Sequence, residues 1–106
     1  MVKILVWVRK KDGMTDEEFR AYWTGPHAAL ARRTYPHLVR YVINPVTRVP
    51  RGEVAPLDGV AELVWGSRED FDADVRSPQA RAVVDDLATF AATSGTLFVE
   101  EHAILA

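Results

Sequence analysis

The 106-residue sequence lacks cysteine, long apolar runs and an excess of either charge. Without cysteine there are no disulfide scaffolds, thiolate metal sites, redox pairs or cysteine nucleophiles. No window reaches the roughly 18 apolar residues of a membrane span, and the chain starts on a strand pattern instead of a signal peptide. The 13 Lys and Arg against 15 Asp and Glu are scattered, which argues against nucleic-acid binding. We therefore expect a cytoplasmic protein with no membrane or nucleic-acid partner.

What the sequence does contain is typical of a globular domain. Hydrophobic residues make up 48% of it and charged residues 26%, which favours a packed core over disorder. No internal repeat or break in composition divides the chain. We expect one domain over residues 1–106.

The apolar periodicity predicts a strand, a helical region, two strands, a second helical region and a last strand. The predicted strands are Val2–Arg9, His37–Asn44, Gly59–Trp65 and Thr96–Leu105.

The two helical regions carry start and stop signals. Thr15 and Glu18 are spaced as a capping box, and the Gly25-Pro26 pair is expected to kink or break the helix that follows. Ser67 is the expected cap of the second region, Ser77-Pro78 its expected restart, and Ser94-Gly95 its expected end.

This order of elements predicts an α+β ferredoxin-like βαββαβ fold, with four antiparallel strands and both helical regions on one face. The first strand has apolar side chains on both faces, Ile4, Val6 and Val8 on one and Leu5 and Trp7 on the other. Because one helical layer covers only one of these faces, we predict a homodimer. The two sheets would then face each other and enclose a cavity.

Three histidines are candidates for chemistry. His27 follows the Gly25-Pro26 break on the buried side of its helix, where it is either a structural residue or an acid or base that works near neutral pH. His37 begins a strand and is expected at the surface or at a cavity mouth. His102 interrupts the last strand and either points into the cavity or pairs with Glu100.

Two other polar residues interrupt predicted strands. Glu62 lies in a strand interior, which seldom accepts a carboxylate without a partner or a solvated edge, and its pKa should rise if it faces the cavity. Tyr41 is either core filler or a hydroxyl that orients a ligand. The sequence shows no phosphate loop, serine nucleophile elbow or metal-ligand spacing, so we expect no metal and no cofactor. Two kinds of function are left: acid/base catalysis on a bound small molecule, or binding without catalysis.

Three segments carry a family resemblance. Residues 11–27, KDGMTDEEFRAYWTGPH, resemble the opening signature of the EthD family. Residues 58–65, DGVAELVW, are similar to its second signature, and residues 100–102, EEH, to its C-terminal end. The resemblance implies a dimeric α+β barrel. It also implies a group of activities that includes cofactor-free polyketide cyclases, decarboxylases, isomerases and quinol-forming monooxygenases.

The resemblance also assigns candidate site residues. The helix histidine of the family falls on His27, its strand carboxylate on Glu62 and its terminal-strand histidine on His102. Tyr41 occupies a place similar to the tyrosine of methylmuconolactone-isomerase-like relatives. The chain departs from those relatives in having no histidine at residues 45–56.

Taken together, these observations predict a cofactor-independent lyase, cyclase or isomerase for an aromatic, polyketide-like or lactone substrate. His27 would be the general base or acid, and Tyr41 and Glu62 would orient the ligand. His102 would assist from the far side of the cavity. The residues expected to line the pocket are Ile4, Val6, Trp23 and Phe98. The alternatives are a cofactor-free quinol-type monooxygenase and a non-catalytic ligand-binding protein.

Overall fold

The computed structural model describes every residue from Met1 to Ala106. The elements in chain order are β1 (Val2–Lys10), α1 (Asp16–Tyr22), a π-helical turn (Trp23–His27), α2 (Ala28–Thr34), β2 (Leu38–Pro45), β3 (Gly59–Trp65), α3 (Arg68–Val75), α4 (Ala80–Asp86) and β4 (Ala91–Val99), with short 3-10 turns at Pro50–Gly52 and Leu87–Thr89. The strands form one sheet in the order β2-β3-β1-β4, and each neighbouring pair is antiparallel. The predicted ferredoxin-like α+β fold is confirmed. None of the helices has the length and apolar character needed to cross a bilayer.

The first helical region begins and breaks where the sequence predicts. The Thr15 hydroxyl accepts a hydrogen bond from the Glu18 backbone N–H, and the Glu18 carboxylate accepts one from the Thr15 N–H, which completes the capping box. The Gly25-Pro26 pair lies inside the π-helical turn, after which the Ala28 N–H donates back to the Trp23 carbonyl. Pro26 has no N–H to give to a regular helical ladder, so the wider turn accommodates it.

The helices pack against one face of the sheet and build the core there. From the sheet, Ile4, Val8, Leu63 and Trp65 point into this layer and are buried. From the helices come Phe19, Trp23, Phe71 and Val83, while Phe90 lies just before β4. Burial of such side chains contributes roughly 1.5–3 kcal/mol each, which makes this layer the main source of stability.

No helix covers the other face of the sheet, termed the open face below. It carries the odd-numbered side chains of β1, including Leu5 and Trp7, and the even-numbered ones of β3, including Val60. Trp7 lies over Gly95 of β4 so closely that a Cβ on Gly95 would fall 2.4 Å from the indole Nε1. Leu97, also on β4, is half exposed. Within one chain this apolar surface is uncovered.

The sequence-based limits of the last helix and strand are wrong. The helical region ends by Thr89, and β4 runs from Ala91 to Val99 rather than from Thr96 to Leu105. The Ser94-Gly95 pair is typical of a turn, yet it lies inside β4. Position 95 is a glycine because the Trp7 indole packs where a Cβ would otherwise be.

The expected restart at Ser77 is also wrong. Helix α4 begins at Ala80 with Gln79 before it, and the Ser77 hydroxyl is buried without a hydrogen-bond partner. The backbone carbonyl of Ser77 accepts from the Ala80 N–H instead, so a tight turn separates α3 from α4.

Candidate functional site

A cavity of about 220 Å³ lies between the sheet and the helices. Fourteen of its 16 lining residues are hydrophobic, which makes the interior strongly apolar. Ile4, Val6 and Trp23, three of the residues expected to line a pocket, line this one together with His27 and Tyr41. The cavity therefore lies within one chain on the helical side of the sheet, whereas the sequence had placed it between two sheets.

His27 is held against Asp86. Its ring is almost fully buried, with 4% of the residue exposed, and its Nδ1 lies 2.8 Å from an Asp86 carboxylate oxygen. The Phe90 ring packs on the imidazole at a centroid distance of 4.8 Å. Because the carboxylate accepts the Nδ1 proton, the neutral imidazole has a lone pair on Nε2, which makes no hydrogen bond within the chain.

Asp86 is fixed in turn by a second hydrogen bond. The Tyr22 hydroxyl donates to its other oxygen at 2.7 Å, and the Thr89 hydroxyl lies 3.4 Å from that same oxygen. Burial alone would raise the pKa of Asp86, but the hydrogen bonds from His27 and Tyr22 together outweigh it and lower the pKa. The pKa of Tyr22 is raised, chiefly by its bond to this carboxylate. Asp86 is therefore an anion that orients the His27 ring through Nδ1.

Sequence reasoning missed Asp86, although one signal was present. Asp86 follows Val83 by three residues and precedes Phe90 by four, so helical periodicity places it on the buried stripe. The neighbouring Asp85 falls outside that stripe and pairs with Arg81 at the surface. A carboxylate on an apolar stripe needs a partner, and His27 is that partner.

Two tyrosines also line the cavity. Burial raises the pKa of Tyr41, on β2, to about 12. Burial, followed by the charge of Asp74, raises the pKa of Tyr35, at the end of α2. Neither hydroxyl makes a hydrogen bond within the chain, and both residues line the cavity. Both are therefore protonated donors available to a ligand at neutral pH.

The π-helical turn positions the helix side of the cavity. It buries both Trp23 and His27, and π-turns within α-helices are often found at functional sites. The Trp23 indole packs on Gly59, where a Cβ would fall 2.3 Å from the ring. This close approach holds the indole against the start of β3, beside the cavity.

Glu62 lies on the open face, away from the cavity. The Lys3 ammonium lies 3.0 Å from its carboxylate, and the Asn44 amide donates to it at 3.2 Å. The bond from Lys3, followed by that from Asn44, lowers the pKa of Glu62. The expected rise in the pKa of Glu62 is therefore not found, because Lys3 and Asn44 stabilise the charged carboxylate on the open face.

His102 and Phe98 also lie outside the cavity. His102 follows the end of β4 instead of interrupting it, and its exposed Nε2 lies 2.6 Å from Glu100. Phe98 is 67% exposed and stacks edge-on against Phe71. The structure thus brings together His27 and Tyr41 and leaves His102 apart from them.

His37 forms a second pair with an aspartate, at the surface. Its Nδ1 lies 2.7 Å from Asp74, whose other oxygen accepts hydrogen bonds from the Trp65 indole at 2.8 Å and the His37 backbone N–H at 3.0 Å. The bond to Asp74 is the main cause of a raised pKa for His37. This pair ties the start of β2 to α3. No three His, Asp or Glu side chains come together in a way that could hold a metal ion.

Comparison with known proteins places this arrangement in a family. Residues 11–94 match the EthD domain. The chain belongs to the EthD family. Among proteins of curated function, none gives a significant match to the sequence.

Solved structures show the same fold. An EthD-family protein from Bacillus halodurans superposes with a TM-score of 0.76 at 20% identity, over 96% of this chain and all of the other. The cofactor-independent oxygenase SnoaB from Streptomyces nogalater gives 0.66 at 18% identity, over 94% and 91% of the two chains. A dimeric ferredoxin-like protein of unknown function from Thermobifida fusca gives 0.67 at 16%, over 92% and 88%. At these identities the likeness establishes the fold that EthD-family chains share, with dimers among the neighbours.

Proposed function

We propose that this EthD-family chain is a cofactor-independent enzyme that moves a proton on a small aromatic, polyketide-like or lactone substrate. The observation that carries the proposal is the His27–Asp86 pair at the wall of an apolar cavity. An imidazole whose Nδ1 is fixed by a carboxylate and whose Nε2 is free has the arrangement of a general base.

The residues at the cavity divide the work of such a reaction. His27 Nε2 takes a proton from a carbon next to a carbonyl group, and the negative Asp86 stabilises the imidazolium that forms. The Tyr41 hydroxyl donates to the carbonyl oxygen, where negative charge develops as the C–H bond breaks. Return of the proton to another atom gives an isomerase, and loss of a leaving group or closure of a ring gives a lyase or cyclase.

Glu62 and His102 have a different place in this proposal from the one the sequence suggested. Neither contacts the cavity, and each is paired with charged neighbours elsewhere. We assign them no part in the proton transfer. Variants at these positions therefore serve as controls for variants at His27.

We infer that the enzyme works as a homodimer in which the open face of each sheet covers the other. The open face carries Leu5, Trp7 and Val60, whose apolar side chains need cover that one chain does not provide. Dimers among the structures of the same fold support the dimeric state.

A cofactor-independent oxygenation is the second candidate. The structural likeness to SnoaB favours it, and an apolar cavity with a base suits the deprotonation of an electron-rich phenol before it meets oxygen. The two candidates differ in their need for oxygen: the oxygenase consumes one O₂ per turnover, and the lyase, cyclase or isomerase consumes none.

The test is a substrate screen with and without oxygen, in the presence of a metal chelator. Wild type, His27→Gln and His102→Gln are compared on cyclic ketones, lactones and phenols, with product analysis and an oxygen electrode. We expect turnover without oxygen by wild type and His102→Gln, and a loss of about 10²- to 10⁴-fold in His27→Gln. A folded His27→Gln protein with full turnover contradicts the proposal.

A further inference from the structure

The interior of the cavity contains no side chain with a permanent charge. The lining residues that carry a polar side-chain group are Trp23, His27, Tyr35, Tyr41 and Thr96. No Lys or Arg lines it, and the Asp86 carboxylate lies directly behind the His27 imidazole. A carboxylate or phosphate in this space would lose its water without gaining a cation, and it would face Asp86 across the imidazole.

The cavity size narrows the ligand further. An apolar cavity of about 150 Å³ holds a benzene ring, and this cavity measures about 220 Å³. The volume therefore suits one ring with a few substituent atoms. The Tyr35 and Tyr41 hydroxyls, both without partners in the chain, offer donors for two oxygen atoms of such a ligand.

We propose that the cavity selects an uncharged, single-ring phenol or ring ketone with two oxygen substituents, and rejects the carboxylated and aminated analogues. This inference rests on the proposed function for the site but concerns binding alone. The ligand then becomes charged only during the reaction, as its proton moves to His27. The negative charge that forms on the ligand is stabilised by the imidazolium and by the tyrosine donors.

A neighbouring groove defines the competing outcome. It lies between α2 and β2, shares Tyr35 and Tyr41 with the cavity, and is lined by Arg32 and Arg40, both exposed. A ligand long enough to leave the cavity would bring an anionic group to these arginines. An anion preference that disappears in Arg32→Gln would therefore show that the ligand extends into this groove, which contradicts the proposal.

The test uses three probes of similar size and different charge: 3-hydroxybenzyl alcohol, 3-hydroxybenzoate and 3-hydroxybenzylamine. Affinity is measured by calorimetry at neutral pH, and the NMR signals of the His27 ring report whether the probe is in the cavity. We expect the neutral alcohol to bind at least about tenfold more tightly than either charged probe and to shift the His27 signals. Equal affinities, tighter binding of the anion, or no shift at His27 with any probe overturns the proposal.

A gain-of-function variant makes the test independent of any loss of folding. Thr96 lies at the edge of the cavity on the exposed edge strand β4, where a lysine is accommodated in solvent. In Thr96→Lys we expect the anion to gain at least about threefold in affinity and the neutral probe to change little. Because binding is read without turnover, a neutral preference in a protein whose His27→Gln variant keeps full turnover would overturn only the proposed function. An anion preference with a catalytic His27 would overturn only this inference.

Discussion

The Nδ1 atom of His27 lies 2.8 Å from the carboxylate of Asp86, although the two residues are 59 positions apart in the chain. The fold makes this contact by packing the π-helical turn after α1 against the end of α4. The pair gives a buried imidazole a fixed tautomer and a free nitrogen at a cavity, which is the arrangement that proton transfer requires.

Replacing Asp86 tests its effect on His27. In Asp86→Asn the neutral amide no longer fixes a proton on Nδ1 of His27. The tautomer with a free Nε2 is then lost, and we expect kcat to fall about 10²- to 10⁴-fold. The matched control is Asp85→Asn, which removes the neighbouring carboxylate from a surface pair with Arg81. Long-range ¹H–¹⁵N NMR spectra of the ring should show the proton on Nδ1 in wild type and in Asp85→Asn. Full activity and an unchanged tautomer in Asp86→Asn would remove Asp86 from the account.

The hydroxyl of Tyr41 is expected to contribute more to the reaction than to binding. Tyr41→Phe keeps the ring and removes a donor that has no partner in the chain, so we expect kcat to fall about 10²-fold with a smaller change in KM. Because burial raises the pKa of Tyr41 to about 12, the phenol stays protonated and imposes no alkaline limit on wild-type activity below about pH 10. A change in KM alone would assign Tyr41 to ground-state binding.

The pair of His37 and Asp74 predicts a loss of stability at alkaline pH. The bond to Asp74 raises the pKa of His37 above its ordinary 6.5, so the folded protein holds this proton more tightly than the unfolded chain does. The contribution is complete below pH 6.5 and is lost as the pH rises through the raised pKa. Between about pH 6 and about pH 8.5 the Tm of wild type should therefore fall more than that of His37→Asn, with His102→Asn as the control. Parallel curves for wild type and His37→Asn would contradict the prediction.

The contact of Trp7 with Gly95 predicts a strong effect of a single methyl group. In Gly95→Ala the new Cβ would lie 2.4 Å from the indole Nε1, so Trp7 must move, and we expect the free energy of unfolding to fall by about 1–3 kcal/mol. Gly66→Ala is the matched control because nothing lies within 4 Å of its Cβ position. Chemical denaturation measures both variants. Equal stability of the two would mean that Trp7 does not need the glycine.

If two open faces form the dimer interface, one charged side chain placed there should disrupt the dimer. Leu97 is half exposed on the open face of β4, whereas Val54 is exposed in the loop between β2 and β3. We expect wild type and Val54→Glu to elute with a dimer mass in size-exclusion chromatography with light scattering, and Leu97→Glu to shift towards the monomer. A monomeric wild type contradicts the inferred homodimer.

The fold could be read from the sequence because its local signals agree with its tertiary packing. The capping box at Thr15 and Glu18 is a local signal, and apolar side chains on both faces of β1 indicate a strand that needs cover on both sides. The start of β4 could not be predicted, because a Ser-Gly pair is typical of a turn and only the packing of Trp7 explains a glycine inside the strand.

The candidate site was only partly readable for a similar reason. His27 and Tyr41 lie where their helix and strand patterns place them, on the side that faces the core. Glu62 and Asp86 depended on partners far along the chain: Lys3 explains a carboxylate inside a strand, and His27 explains one on a buried helix stripe. Periodicity predicts which face of a helix or strand a residue lies on, but it does not predict which side chain of another element contacts that residue.

Exchange of carbon-bound hydrogen for solvent deuterium tests the central claim, that His27 is the base of a proton-transfer site. 1,4-Cyclohexanedione, an uncharged single-ring ketone with two oxygen atoms and with acidic hydrogens next to its carbonyl groups, is incubated in D₂O with wild type, His27→Gln and His102→Gln, and exchange is followed by ¹H NMR. The account predicts exchange faster than in buffer with wild type and His102→Gln, and a rate at least about 10²-fold lower with His27→Gln. Equal exchange rates for wild type and a folded His27→Gln protein would contradict it.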